Sequence, residues 1–242
     1  MEITRRDFLK AGAAGLAATS MLGSVNAFAE EDNTFKGKKK FAGIGSCREV
    51  TDDIVYIGVS DRRIQLFENV YPIPRGVAYN SYVLLDNKTV LFDTVDRSVT
   101  GQFFENLTAV LDGRNLDYLV VDHMEPDHSS AISEVLVRYP EAKVVCTKMA
   151  SIILNQFFAC DISDRSILVG EGDTLNFGKH TFTFVMAPMV HWPEVMMSFD
   201  DISGALFSAD AFGSFGALNG NLFADEVDFE KDWLPDARRY YC

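Results

Sequence analysis

The feature that most constrains this chain is a cluster of metal-binding side chains directly after a predicted strand. It reads His123-Met124-Glu125-Pro126-Asp127-His128 and follows directly on the predicted strand 119–122. On an extended segment, residues i, i+2 and i+4 project to one side, so we expect His123, Glu125 and Asp127 to converge. His128 lies outside that row and is expected to reach a second ion nearby. Pro126 restricts the backbone of the loop and thereby preorganises it.

Two later positions are expected to join this cluster. His191 follows a strand predicted at 181–186 and opens the sequence His-Trp-Pro-Glu. Asp210 ends the apolar segment 205–209, so a carboxylate lies at the mouth of a buried strand. The fourth histidine of the chain, His180, lies in a Gly-Lys-His turn. We expect it to be exposed and to have no role at the metal site.

Composition excludes several classes of partner. The 242 residues include 22 Lys and Arg against 35 Asp and Glu, which gives a formal charge of -13. Such an acidic surface repels nucleic-acid phosphates and anionic lipid headgroups, so no nucleic-acid partner is expected. Beyond the N-terminus no run of about 18 apolar residues occurs, so we expect no membrane span after signal cleavage. Four cysteines without a C-x-x-C spacing are too few for a disulfide scaffold.

The N-terminus has the pattern of an export signal. It contains Thr4-Arg5-Arg6-Asp7-Phe8-Leu9-Lys10, a mildly apolar stretch at 11–25 and the small-x-small sequence Ala27-Phe28-Ala29. This pattern resembles a twin-arginine signal, and the alternative is an amphipathic N-terminal helix. We therefore predict a signal peptide at 1–29, a polar linker at 30–52 with a basic run at 36–40, and a domain at 53–242. Export by this route implies a periplasmic or other extracytoplasmic location, and a protein that folds, often with its cofactor, before export.

The domain itself reads as an α/β (α+β) chain with hairpins first and strands alternating with helices later. Strands are predicted at 54–58, 63–68, 77–85, 90–92, 119–121, 143–146, 167–169, 181–186, 195–199 and 205–207. Helices are predicted at 99–111, 131–139 and 149–158. Another helix begins at Leu234-Pro235, and we expect the chain to stop inside it.

Taken together, the motifs resemble the metallo-β-lactamase-like domain of the flavodiiron proteins. The resemblance runs from about residue 52 to the last residue and includes Phe67-Glu68, the segments 71–76, 79–82 and 237–241, and the Ser-Ala-Asp-Ala-Phe-Gly sequence around Asp210. It implies a metallo-β-lactamase-like αββα sandwich, incomplete at the C-terminus, with a non-haem di-iron centre. Such a centre reduces O2 to water or NO to N2O.

The resemblance also implies a ligand set. One iron would take His123, Glu125 and His191; the other would take Asp127 and His128, with Asp210 bridging both. Hydrolases of this fold look like His-x-His-x-Asp-His, a set suited to zinc, whereas Glu125 replaces one imidazole here. Three carboxylates favour a hard, redox-active cation. Large apolar residues, Trp192 and Phe212 among them with Phe215 and several methionines, either wall a small dry pocket or form ordinary core.

The sequence departs from the family at two points. Family members carry one more histidine on the second iron, downstream of the position of Cys242, and a flavodoxin-like domain that binds FMN. Neither is present in this sequence, so we expect a gene fragment or half of a split system. Electrons would then come from FMN in a separate domain, or from a flavodoxin or rubredoxin-like donor. The resemblance also implies a head-to-tail homodimer. Two other functions are alternatives to the reduction of O2 or NO: a metallo-hydrolase that acts on an ester or thioester, and a remnant that only binds iron.

Overall fold

The computed structural model describes residue 41 and the ranges 43–159 and 161–241. The predicted signal peptide at 1–29 and the basic run at 36–40 lie outside these residues. None of the helices in the described ranges is long and apolar enough to cross a bilayer.

The larger of the two main sheets has seven strands in the order β1-β2-β7-β8-β9-β10-β11. Its first four strands pair antiparallel, whereas β8, β9, β10 and β11 run parallel to one another. The strands are β1 (Arg48–Glu49), β2 (Ile54–Tyr56), β7 (Tyr82–Leu85), β8 (Thr89–Phe92), β9 (Tyr118–Val120), β10 (Lys143–Cys146) and β11 (Ser166–Leu168).

The smaller sheet contains β12 (Thr174–Asn176), β13 (Thr181–Met186), β14 (Met196–Asp200) and β15 (Leu206–Phe207). These four strands are antiparallel and follow one another in that order. Two antiparallel pairs of strands complete the β structure of the described residues: β3 (Val59–Asp61) with β6 (Val77–Tyr79), and the hairpin of β4 (Leu66–Phe67) with β5 (Tyr71–Pro72).

Six α-helices lie in the described residues, and three 3-10 turns accompany them. The helices are α1 (Thr100–Leu111), α2 (Pro126–Ser129), α3 (Ile132–Arg138), α4 (Lys148–Phe158), α5 (Phe229–Asp232) and α6 (Leu234–Tyr241); the 3-10 turns are Arg97–Val99, Ser163–Arg165 and Ala224–Glu226. Helix α1 buries the apolar side chains spaced along one face and ends at Asp112, whose φ of 46° is left-handed. The helix predicted to begin at Leu234 is confirmed.

The layers follow from the alternation of side chains along the central strands. Leu91 and Leu119 face the helices, where they join a core with Phe103, while Val90 and Phe92 face the smaller sheet. Between the sheets, Phe92 stacks on Phe207 with ring centroids 4.1 Å apart. The described residues thus form the helix layer and both sheets of the predicted sandwich.

Two of the predicted strands differ most from the observed ones. The segment 77–85 divides into β6 and β7 because β6 pairs with β3 whereas β7 pairs with β2. Between them, the buried Ser81 hydroxyl donates to the Asp93 carbonyl at 2.9 Å. The segment 63–68 keeps only Leu66–Phe67 as strand, because Arg63 turns back to bind the Asp61 carboxylate.

Part of the predicted linker is packed into the domain. Phe41 and Cys47 are buried in the helix-side core, and β1 pairs with β2. The domain therefore begins by residue 41, earlier than the boundary at residue 52 that the polar composition indicated. The polar composition of this segment wrongly indicates a linker. The short strand β1 pairs with β2 through its backbone, and its side chains are not buried.

Candidate metal centre

The polar cluster lies where the parallel strands of the larger sheet end, the usual edge for binding sites in such sheets. Asp93 directly follows β8, and His123 comes shortly after β9. The smaller sheet contributes from the facing side: His191 lies in the loop between β13 and β14, and Asp210 follows β15. Side chains far apart in sequence therefore meet at one edge.

The loop after β9 differs from the extended segment predicted. Glu125 has an extended backbone and precedes α2, which begins at Pro126. His123 and Glu125 consequently lie together, with Nε2 and Oε2 3.1 Å apart. The helical turn carries Asp127 and His128 to the other side, with Oδ2 and Nε2 3.7 Å apart. The prediction that Asp127 shares one row with His123 and Glu125 is wrong, because proline at the first helical position starts a turn there.

The first group consists of His123, Glu125, His191 and Asp210, each with one ligand atom within 4.8 Å of the others. Glu125 Oε2 is 2.7 Å from His191 Nε2. Asp210 Oδ2 is 3.2 Å from His191 Nε2 and 3.6 Å from His123 Nε2. Four donors thus surround one point at the sheet edge.

The second group contains His128, Asp127 and the other oxygen of Asp210. Asp210 Oδ1 lies 2.8 Å from His128 Nε2. Asp127 Oδ1 is buried, and within the described part of the chain it has no hydrogen-bond partner. A buried oxygen without a partner costs free energy unless a cation or water binds it. Asp210 therefore presents one oxygen to each group.

Two carboxylates that the sequence reasoning missed hold the imidazoles in place. His123 Nδ1 donates to Glu194 Oε1 at 2.8 Å, and the Met124 backbone N–H donates to the same oxygen at 3.0 Å. His128 Nδ1 donates to Asp93 Oδ2 at 3.0 Å. Each bond leaves Nε2 facing the centre, as is usual for histidines that bind metals. The sequence does contain a pattern that indicates Asp93 as a site residue, because this carboxylate ends a buried strand just as Asp210 does.

Burial and close contacts shift the pKa values of the ionisable side chains in both groups. Burial raises the pKa of Asp127 to about 7. The hydrogen bond from His191 to Asp210 raises the pKa of His191 to about 9. Burial opposes ionisation of Asp210, but His128 and His191 outweigh it and hold its pKa well below the usual range. Partial burial and a hydrogen bond to Glu125 raise the pKa of Glu68 to about 7. The negative charge of the clustered carboxylates is thus balanced by protons on neighbouring side chains, and a bound cation can replace these protons.

The predicted apolar wall is only partly present. Trp192 packs edge-on against His123, with ring centroids 5.4 Å apart and planes at 89°. Phe212 is 61% exposed, so it neither walls a dry pocket nor belongs to the core, and both interpretations of this residue are wrong. The His191 side chain is itself 44% exposed, which leaves this side of the centre open within the described residues.

His180 is buried, contrary to the prediction that it is an exposed turn residue. Its Nδ1 donates to Asp200 Oδ2 at 2.8 Å, and its Nε2 lies 3.0 Å from Asp53 Oδ2. Asp53 precedes β2 of the larger sheet, whereas Asp200 ends β14 of the smaller sheet. His180 therefore ties the two sheets together, away from the metal centre.

The donor set fits a pair of hard cations. Three imidazole nitrogens and three carboxylates converge at this site. A set this rich in oxygen donors suits iron better than an imidazole-rich set does, whereas imidazole-rich sets are typical of zinc hydrolases. The unpartnered Asp127 oxygen and the two-sided Asp210 carboxylate are the features that a pair of ions would satisfy.

The sequence also matches a known protein family. The model of the family described as ODP family beta lactamase matches residues 77–236. The chain belongs to this family. The N-terminus matches the twin-arginine translocation pathway signal sequence over residues 2–22, which supports export.

Three proteins illustrate what this chain is similar to. The anaerobic nitric oxide reductase flavorubredoxin of Vibrio vulnificus is 35% identical over 194 residues, covering 79% of this chain and 39% of that protein. The rubredoxin oxygen:oxidoreductase of the anaerobe Desulfovibrio gigas has a TM-score of 0.76 at 29% identity, covering 81% of this chain and 48% of that one. The flavodiiron protein of Giardia intestinalis has a TM-score of 0.71 at 26% identity, covering 76% and 44% of the two chains.

These matches confirm the resemblance to the flavodiiron proteins and the metallo-β-lactamase-like fold. The chain spans about two fifths of the length of curated relatives that it matches.

Proposed function

We propose that this chain forms the metal-binding part of an oxidoreductase of the flavodiiron type, which reduces O2 to water, NO to N2O, or both. The observation that carries the proposal is the Asp210 carboxylate, which faces His123 and His191 with one oxygen and His128 with the other. A carboxylate in that position can join two ions, and the additional carboxylates favour redox-active iron.

The proposed ligands follow from the two groups. His123, Glu125 and His191 would hold one non-haem iron, and Asp127 and His128 the other, with Asp210 between them. Bound iron would supply electrons to the gas, two from a ferrous pair. Glu194 and Asp93 keep each Nε2 turned toward the centre by holding the proton on Nδ1 of His123 and His128. His123 is fully buried, so the protein excludes water from that side.

Reduction of dioxygen to water takes four electrons, so the ferrous pair needs an external source. We propose that FMN in a flavodoxin-like domain, or a flavodoxin or rubredoxin-like protein, supplies the remainder. A head-to-tail homodimer would bring such a domain to the centre of the neighbouring chain. Cleavage of the signal near residue 29 would leave the domain in the periplasm or another extracytoplasmic compartment.

The test is gas consumption by the protein reconstituted without air with ferrous iron. Reduced flavodoxin or rubredoxin serves as donor, and electrodes record O2 and NO separately. We expect consumption that depends on iron and stops in Glu125→His, because that variant restores the imidazole-rich set of the zinc hydrolases. Ester or thioester hydrolysis by the zinc-loaded wild type would indicate a hydrolase. Tight iron binding without consumption of either gas would indicate a protein that only binds iron.

A further inference from the structure

The two short helices next to the proposed ligands are separated by a break. Helix α2, which carries Asp127 and His128, ends at Ser129. Helix α3 begins at Ile132, so the two helices are not continuous. The end of a helix leaves backbone carbonyl and N–H groups without partners inside the helix, and such groups need other partners when they are buried. The break therefore requires hydrogen bonds from outside the two helices.

Thr94 supplies hydrogen bonds of both kinds. Its backbone N–H and its hydroxyl group both donate to the His128 carbonyl oxygen, each at 2.7 Å. Its hydroxyl oxygen also accepts from the Ala131 backbone N–H at 3.3 Å. In an uninterrupted helix the His128 carbonyl would instead accept from the N–H four residues later, that of Ile132. Thr94 is fully buried, so bulk water does not compete for these bonds.

The same end of β8 also holds the His128 side chain. Asp93 follows β8, and its φ of 50° turns the chain out of the strand. Asp93 Oδ2 accepts from His128 Nδ1 at 3.0 Å, while Thr94, the next residue, binds the His128 backbone. His128 is thus held at its ring and at its carbonyl, and its Nε2 lies 2.8 Å from Asp210 Oδ1. A residue fixed at both points has little freedom to redirect Nε2.

We infer that Thr94 is a positioning residue of the metal centre, which fixes the turn of α2 so that Asp127 and His128 face the second ion. This inference rests on the proposed function and deepens it. Without the Thr94 hydroxyl, the His128 carbonyl loses one of its two donors and the Ala131 N–H loses its acceptor. The turn is then free to shift toward a continuous helix. Loss of an outer residue that fixes a ligand commonly lowers metal affinity by about tenfold or more.

The test uses Co2+ alone as the probe, added without air to the full chain. A coloured chelator resolves the two binding steps, the visible absorption of Co2+ reports the geometry of its ligands, and His128→Gln identifies the step that belongs to the second ion. Thr94→Val has nearly the shape of threonine but no hydroxyl. We expect it to weaken that step about tenfold and to change the spectrum, while the other step stays within about threefold of wild type.

Two further variants of Thr94 separate the hydroxyl from the shape of the side chain. Thr94→Ser keeps the hydroxyl, so both binding steps should stay within about threefold of wild type. Thr94→Ala has no hydroxyl and needs less space, so it should show the same loss as Thr94→Val and replaces that variant if it does not fold. A second measurement needs no metal: backbone amides at 126–131 should exchange their hydrogens faster in metal-free Thr94→Val than in the wild type or Thr94→Ser.

Thr89→Val is the matched control, because Thr89 is a buried threonine at the other end of β8. Its hydroxyl oxygen accepts from Arg114 Nε at 3.0 Å. The control should lower Tm while both Co2+ steps, the spectrum and the exchange at 126–131 remain those of the wild type.

Three results would overturn the inference. They are wild-type Co2+ binding or wild-type exchange in the Thr94 variants without a hydroxyl, an equal loss in Thr94→Ser, and an equal loss in Thr89→Val. In each case the proposed function is untouched, because the wild type still binds two ions. If the wild type binds fewer than two Co2+ ions, the proposed function fails and this inference fails with it.

Discussion

Glu194 offers a sharp test of how the protein supports its proposed metal ligands. Its Oε1 accepts from His123 Nδ1 at 2.8 Å and from Met124 N at 3.0 Å, and the side chain is fully buried. In Glu194→Gln the amide oxygen can accept both bonds, so the geometry of His123 is retained while the charge is lost. The NH2 group takes the place of Oε2, which is buried and has no hydrogen-bond partner among the described residues, so Tm is measured beside the affinity. Glu194→Ala, by contrast, would leave two buried donors unpaired and would confuse binding with stability.

The expected magnitude follows from the change in that hydrogen bond. A hydrogen bond to a charged group contributes about 1.5–3 kcal/mol, and a neutral one about 0.5–1.5 kcal/mol. The difference of about 1–1.5 kcal/mol corresponds to about tenfold in affinity. We therefore expect Glu194→Gln to weaken binding of the first metal ion about tenfold, because a less basic His123 is a poorer ligand.

Asp93→Asn removes the corresponding charge on the other side of the centre, where Asp93 Oδ2 accepts from His128 Nδ1 at 3.0 Å. Asp93 Oδ1 also accepts from the Asp122 backbone N–H at 2.8 Å, so the NH2 of the new amide must face one of these two donors. Competition between the protein and a coloured chelator for Co2+ resolves the two binding steps. Glu194→Gln should weaken the step assigned to His123, and Asp93→Asn the step assigned to His128. Unchanged affinity in both variants, or the same step weakened by both, would refute the assignment of one outer carboxylate to each ion.

Two further predictions concern the fold around the centre. Burial opposes the charge on His180, but its bonds to Asp200 and Asp53 outweigh burial and raise its pKa above 6.5, whereas the pKa of each aspartate is lowered below 3.8. We therefore expect His180→Gln to lower the free energy of unfolding, measured with urea, by about 3 kcal/mol. This loss should be largest between pH 4 and 6.5 and should shrink as pH rises further. A loss that does not depend on pH would contradict this prediction. Tyr240→Phe removes a donor to Asp210 Oδ2 at 3.1 Å, and we expect Tm to fall by about 2–4 °C in the metal-free protein; an unchanged Tm would count against that bond.

The local part of the site could be predicted from the sequence. His123, Glu125, Asp127 and His128 lie within six residues at a strand end, so their spacing alone indicates a metal site. The orientation of Asp127 could not be predicted, because a helical turn replaces the extended segment after Glu125.

The residues that the sequence reasoning missed depend on contacts between distant segments. Glu194 meets His123 across 71 positions, and Asp53 meets His180 across 127. A histidine between Lys179 and a strand reads as an exposed turn residue until the sheets are packed face to face. Burial and pairing of such groups follow from topology, which local patterning does not specify.

The most direct test of the account is the Mössbauer spectrum of protein reconstituted without air with iron-57 and then oxidised. Because Asp210 presents one oxygen to His128 and the other to His123 and His191, we expect two ferric ions that are magnetically coupled. Asp210→Asn should reduce or abolish the coupling. Magnetically isolated ferric ions in the wild type, or a site that retains only zinc, would contradict the proposed di-iron centre.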